Sequence, residues 1–183
     1  MTALLRFEGV ALIRGGRLLF EDLSFALTPG EALQVRGPNG TGKSSLLRLA
    51  AGLLAQNVGQ IERSPLALAD DRVALDREVP LGRALTFWGK QTTPALHSLG
   101  IGHLADVPVR FLSTGQLKRA TLARVISAQV PLWLLDEPLN GLDNEGERRL
   151  GPLLEAHRES GGAVIAASHQ QLPGEWQSLD LEK

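Results

Sequence analysis

ALQVRGPNGTGKSSLLRLA, residues 32–50, carries the pattern GxxxxGK[ST] at Gly37, Pro38, Asn39, Gly40, Thr41, Gly42, Lys43 and Ser44. A short strand, Ala32 to Arg36, leads into it and a helical pattern follows. That context separates a phosphate-binding loop from an accidental glycine-rich turn. Glycines let the backbone curl so that successive N–H groups point at phosphate oxygens, and the start of the next helix adds partial positive charge. Residues Gly37 to Ser45 are therefore read as a nucleoside triphosphate site, with Lys43 reaching the β and γ phosphates and Ser44 offering a hydroxyl to Mg²⁺.

Upstream of the loop, apolar residues recur at every second position at Leu5 and Phe7, then at Leu23, Phe25 and Leu27, as half-buried strands require. Gly15-Gly16 and Pro29-Gly30 supply the turns. Downstream, Leu46, Leu49 and Leu53 are expected on one helical face. From about Leu66 to Phe111 periodicity fades, and short helices and loops are expected. A helix near Gln116 to Gln129 should turn Leu122, Val125 and Ile126 inward and Lys118, Arg119 and Arg124 to water. Pro131 to Leu135 is an apolar run that reads as a parallel strand covered on both faces. Asn144 to Ser160 reads as a helix interrupted by Pro152 and closed by Gly161-Gly162, ahead of a last core strand, Ala163 to Ala167.

Composition bounds the partners. The 183 residues suit one domain and carry a net charge of −1, so no overall positive field draws nucleic acid, and none is expected. With no cysteine, disulfides, thiolate metal sites and a cysteine nucleophile are excluded. No apolar run approaches the roughly 18–20 residues that span a bilayer. MTALLRFEGV places Arg6 and Glu8 where a signal peptide needs an unbroken apolar core, so the chain reads as mature protein.

LWLLDEP, Leu132 to Pro138, ends a buried strand in two carboxylates at the edge where open α/β sheets bind ligands. Asp136 is expected to hold the Mg²⁺ hydration shell and Glu137 to orient or deprotonate the attacking water. FLSTGQLKR, Phe111 to Arg119, opens a predicted helix 23 residues before Asp136. A helix start flanked by Ser113 and Gly115 can cap a phosphate, or can be an ordinary serine cap. LSTGQ resembles the LSGGQ signature of ATP-binding cassette (ABC) proteins.

The resemblance implies that Ser113, Gly115 and Gln116 cover the ATP held by the loop of an opposite subunit, so the chain should act as a homodimer. It also makes LNGLD, Leu139 to Asp143, the dimer-contacting loop, and His169 the switch histidine that meets the γ phosphate. His97, His103 and His157 fall outside that frame and are expected to be packing or surface residues, with no haem or metal ligand set. Two departures stand out. LALADDRVALD, residues 66–76, contains no glutamine where the family carries one, and Asp70, Asp71 or Arg72 takes its place. The adenine-stacking aromatic is also missing; the corresponding position falls near Ile13 or Arg14, whose guanidinium could stack on the base.

DLSFALTPGEALQVRGPNGTGKSSLLRLAAGLL, Asp22 to Leu54, together with LSTGQLKRATLARV and PLWLLDEPLNGLD, most resembles the ATP-binding subunits of the haem exporter of cytochrome c biogenesis. The resemblance implies an α/β P-loop NTPase fold, the ABC nucleotide-binding domain, with a mostly parallel core sheet, N-terminal antiparallel strands and a small helical subdomain. One domain, 1–183, would divide into a nucleotide-binding core at 1–68 and 117–183 and a coupling and helical segment at about 69–116. The expected function is ATP hydrolysis with Mg²⁺, peripheral on the cytoplasmic face of the inner membrane. Integral membrane subunits would be the partners, with haem handled only indirectly. Service to another ABC transporter, or a soluble cassette outside transport, shares the same motifs.

Overall fold

The computed structural model describes residues 2–70, 72 and 74–181. β1 (Leu5–Arg14) and β2 (Arg17–Leu27) form an antiparallel hairpin. Gly15 and Gly16 join them with φ of 60° and 75°, the paired positive values that match the twist of a two-residue hairpin loop. After β3 (Ala32–Arg36) and α1 (Lys43–Ala50), β4 (Val58–Arg63) returns to the other side of β1, giving the sheet order β2-β1-β4.

β5 (Leu66–Ala69) forms one edge of the second sheet, to which β3 also belongs, and α2 (Leu81–Thr86), α3 (Thr92–Ser98) and α4 (Thr114–Ser127) follow it. The chain continues through β6 (Leu132–Asp136), α5 (Asn144–Glu159), β7 (Ala163–Ala167) and β8 (Gln177–Asp180). β5-β6-β7-β3-β8 is an all-parallel sheet. Along β6 the alternation sends Leu132 and Leu134 toward α1 and the antiparallel sheet, and Trp133 and Leu135 toward α4 and α5. Both faces are covered, so every residue of β6 and β7 is buried. Leu81, Leu85, Leu96 and Leu99 join α2 and α3 to the α4 side of that core. This is the α/β architecture expected, with parallel core strands, antiparallel N-terminal strands and small helices inserted between β5 and β6.

Several local expectations are corrected. Leu53 is not on the face of α1 but 63% exposed beyond its end. Gly52, at φ 73°, bonds back to Leu49 O and Leu53 N bonds to Arg48 O, a left-handed glycine stop that closes the helix one turn early. Arg119 and Arg124 do not reach water; they are 8% and 6% exposed, because α4 is wedged between the sheet and α2–α3 and has little free face. Pro152 does not interrupt α5, which runs through it. The carbonyl left unbonded four residues earlier belongs to Arg148, and both residues are on the exposed side, so solvent takes the lost bond. Ala163–Ala167 is not the last strand of the core sheet; β8 adds an edge beyond β3.

His157 packs within the fold, as expected. Its ring stacks on Trp133 at 3.7 Å and its Nε2 lies 3.2 Å from Pro131 O. Burial pushes its pKa below the ordinary 6.5, against a smaller opposing pull from the Pro131 carbonyl. The folded state thus favours the neutral ring, and as pH falls below that ordinary value the unfolded chain takes up a proton the folded one resists. Thermal stability should accordingly drop on moving from about pH 7.5 to about pH 5.5. His157→Phe should show a shallower drop, as a thermal melt at the two pH values would measure. Equal slopes would count against this account.

Candidate nucleotide site

β3 delivers the chain into the loop at Gly37, whose φ of 137° and near neighbours leave no room for a side chain: a Cβ there would sit 2.5 Å from Leu181 O. Gly42, at φ 108°, turns the chain into α1 against Leu19. Within the loop Thr41 Oγ1 donates to Pro38 O at 3.0 Å, while Asn39 and Gly40 stand exposed at the tip. Lys43 is 7% exposed, and its ammonium donates to Gly37 O at 2.8 Å and Pro38 O at 3.0 Å. It thereby lies across the concave side of the loop.

Two clefts meet along this segment. One, of about 450 Å³, is bordered by Arg14, Asn39, Gly40, Gly42, Lys43, Ser44, Ser45 and Glu137. The other, of about 540 Å³, is bordered by Ser44, Arg48, Asp70, Thr114, Lys118, Asp136 and Glu137 among others. Ser44 and Glu137 belong to both. Arg14 is anchored at the rim by Nη1 donating to Ser45 Oγ at 3.0 Å. Asp136, at the end of β6, is 9% exposed. Glu137 follows with φ of 45°, unusual for a side-chain-bearing residue, and its N–H donates to Ala167 O at 2.8 Å. That turn swings its carboxylate to His169, whose Nδ1 is 2.9 Å from Glu137 Oε2. The phosphate loop and the paired carboxylates come from two separate stretches of sequence and converge here, and a third stretch brings His169 against Glu137.

The signature residues behave differently. Ser113 caps α4: its hydroxyl accepts from Gln116 N at 3.3 Å, and its own N–H donates to Gln116 Oε1 at 2.9 Å, a reciprocal capping box. Ser113, Gly115 and Gln116 border neither cleft of their own chain; Thr114 alone of that turn does. Gly115 packs against Asp143, which caps α5 by accepting from Gly146 N at 3.0 Å. The segment Leu139 to Asp143 thus ends against the start of α4.

Of the cations that periodicity assigned to water, Lys118 borders the site, while Arg119 and Arg124 brace the elements behind it. Lys118 Nζ donates to Glu137 O at 2.9 Å, holding the carbonyl side of the Glu137 turn. Arg119 donates to Leu99 O at 3.1 Å and to Asp143 Oδ2 at 2.8 Å, tying α3, α4 and the cap of α5 together. Arg124 lies 4.5 Å from the Trp88 ring, donates to Leu68 O, and is pushed below its ordinary pKa by burial while Asp70 pulls the other way. Asp70, where a glutamine was missing, also pairs with Arg48 of α1 at 3.8 Å. Arg72 is exposed, and Asp71 lies outside the described residues. The inward lysine and arginines left a trace in the sequence only as basic residues on a helix whose second covering layer had no readable period.

A family profile described as "ABC transporter" matches residues 20–140. The cytochrome c biogenesis ATP-binding export protein CcmA of Sphingopyxis alaskensis is 53% identical over 177 residues, covering 92% of this chain and 91% of that protein. The protein of the same name from Zymomonas mobilis is 46% identical over 189 residues, covering 99% and 86%. Among solved structures, the ATP-binding subunit of an ABC transporter superposes with a TM-score of 0.83 at 20% identity, over 91% of this chain and 79% of that one. A nucleotide-free ATP-binding cassette gives a TM-score of 0.78 at 18% identity, over 92% and 82%. These two likenesses bear on the fold alone.

Proposed function

Starting from the fact that the chain belongs to the ABC transporter ATPases, in the family of cytochrome c biogenesis ATP-binding export proteins, we propose that it drives haem handling for cytochrome c maturation from the inner membrane. It is an ATP-hydrolysing subunit. The observation that carries the site assignment is the convergence of Lys43, Ser44, Asp136 and Glu137 on adjoining clefts that share Ser44 and Glu137, with His169 held against Glu137.

In this reading the amides of Gly37 to Ser45 take the phosphates, and Lys43 exchanges its bonds to Gly37 O and Pro38 O for phosphate oxygens. A hydroxyl and a sheltered carboxylate, Ser44 and Asp136, border one cleft and offer the hard oxygens that suit Mg²⁺. Those two residues would hold the ion, which when bound neutralises phosphate charge. Glu137 orients the attacking water and accepts its proton, and His169 bridges Glu137 and the terminal phosphate. Arg14 at the rim faces the base.

Ser113, Gly115 and Gln116, turned away from their own chain's clefts, would cover the nucleotide of a second copy, giving a homodimer with two sandwiched ATP molecules. The part of the 69–116 segment that precedes this signature would meet integral membrane subunits, holding the chain at the cytoplasmic face. No helix among the described residues is long and apolar enough to cross a membrane, which fits attachment through such subunits. ATP binding then shifts a conformational equilibrium of the complex, and hydrolysis resets it.

The test is purification of the chain from solubilised membranes, with a haem stain of the cell's c-type cytochromes. Integral membrane polypeptides should co-purify with ATPase activity, and deleting the gene should abolish haem-stained cytochromes c. A deletion strain with normal cytochromes c would end the haem assignment.

A further inference from the structure

β3 is a core strand, yet it buries a glutamine. Gln34 is 2% exposed, between Leu33 and Val35, which face the α1 side of the sheet. Its side chain emerges on the opposite face and reaches the loop after β7. There Nε2 donates to Ser168 O at 3.3 Å and to Gln170 O at 2.7 Å, the carbonyls on either side of His169. Arg36 Nη2 donates to Gln34 Oε1 at 3.1 Å, which fixes the amide's orientation: reversed, it would set an oxygen against two carbonyls and a nitrogen against a guanidinium. The loop adds a bond of its own, Gln170 N to Ser168 Oγ at 3.1 Å. A buried primary amide is costly unless its groups are paired, and here both its ends are engaged.

We propose that Gln34 is the positioning residue of the ATPase site, clamping the carbonyls of Ser168 and Gln170, the residues before and after His169, so that the exposed imidazole is held against Glu137. His169 is 56% exposed and packing alone does not hold it, so its 2.9 Å approach to Glu137 depends on the backbone beneath it. The clamp starts three residues before Gly37, on the strand that delivers the phosphate loop. The two walls of the site are therefore joined by one side chain. This rests on the reading of His169 given above.

The experiment compares Gln34→Met, which keeps length and removes the bonds, with His169→Ala and wild type, all as full chains in the membrane complex. Gln34→Met should lower kcat about 10-fold or more while KM for ATP stays within about 3-fold, as a misaimed group does. Amide hydrogen exchange across residues 167–171 should quicken. Wild-type kcat in His169→Ala would refute the underlying reading of the histidine. A strong loss in His169→Ala beside an unchanged Gln34→Met would overturn the clamp, as would a parallel loss of kcat, ATP affinity and melting temperature. Should Gln34→Met fail to fold, Arg36→Met removes only the amide's outer anchor. It should lower kcat about 3-fold at constant KM, and no change there would equally overturn the proposal.

Discussion

Alanine at Lys43 is expected to lower ATP turnover on the order of 10²–10³-fold, the cost of removing one well-aimed donor from a site where phosphate charge develops. The lysine is 7% exposed and anchored at both Gly37 O and Pro38 O, so its ammonium is already positioned on the concave side of the loop before any phosphate arrives. Arg14 cannot replace it, because its guanidinium is held at the rim by Ser45. The loop's shape comes from Gly37 and Gly42 and from the Thr41 bonds, so the variant should fold and fail on affinity and rate. Phosphate release together with equilibrium binding of a fluorescent ATP analogue measures both. Turnover within about twofold of wild type would refute the assignment of this loop.

Glutamine at Glu137 should separate binding from hydrolysis. The substitution keeps size and a hydrogen-bond acceptor for His169 but removes the base, for which a loss of about 10²–10⁴-fold is typical. Neither the loop nor Ser113 is touched, so ATP should still bring two copies together and then remain uncleaved. Gel filtration with light scattering should show dimer in ATP and Mg²⁺ and monomer without. Persistent monomer, or hydrolysis at the wild-type rate, would contradict the sandwich or the role of Glu137 respectively. The residue's φ of 45° explains why position as well as charge matters. Pinned by Ala167 O on its amide and Lys118 on its carbonyl, the turn leaves the carboxylate a narrow arc.

What could be read from sequence was what short-range physics determines. The loop declared itself because its glycines and lysine have few other uses in that order, and β6 because a run of apolar residues ending in two carboxylates fits a buried parallel strand. The failures share a cause. Arg119 and Arg124 looked like the wet face of a helix because the layer covering them, α2 and α3, has no strong period of its own. Their partners, Leu99 O, Asp143, Leu68 O and Trp88, lie far off along the chain. Leu53 was carried past a glycine stop by its leucine spacing. β8 is three-quarters exposed along its short length, so it shows little apolar alternation. Nothing near Gln34 in the sequence marks its role, since its acceptors lie more than a hundred residues away.

The reciprocal bonds between Ser113 and Gln116 occupy the signature serine with its own helix, and under the proposed two-copy sandwich it would meet a triphosphate only when another copy brings one to it. Fuel consumption by stray copies should therefore rise with the square of their concentration, leaving a dilute cytosolic surplus almost idle while pairs held side by side run at full speed.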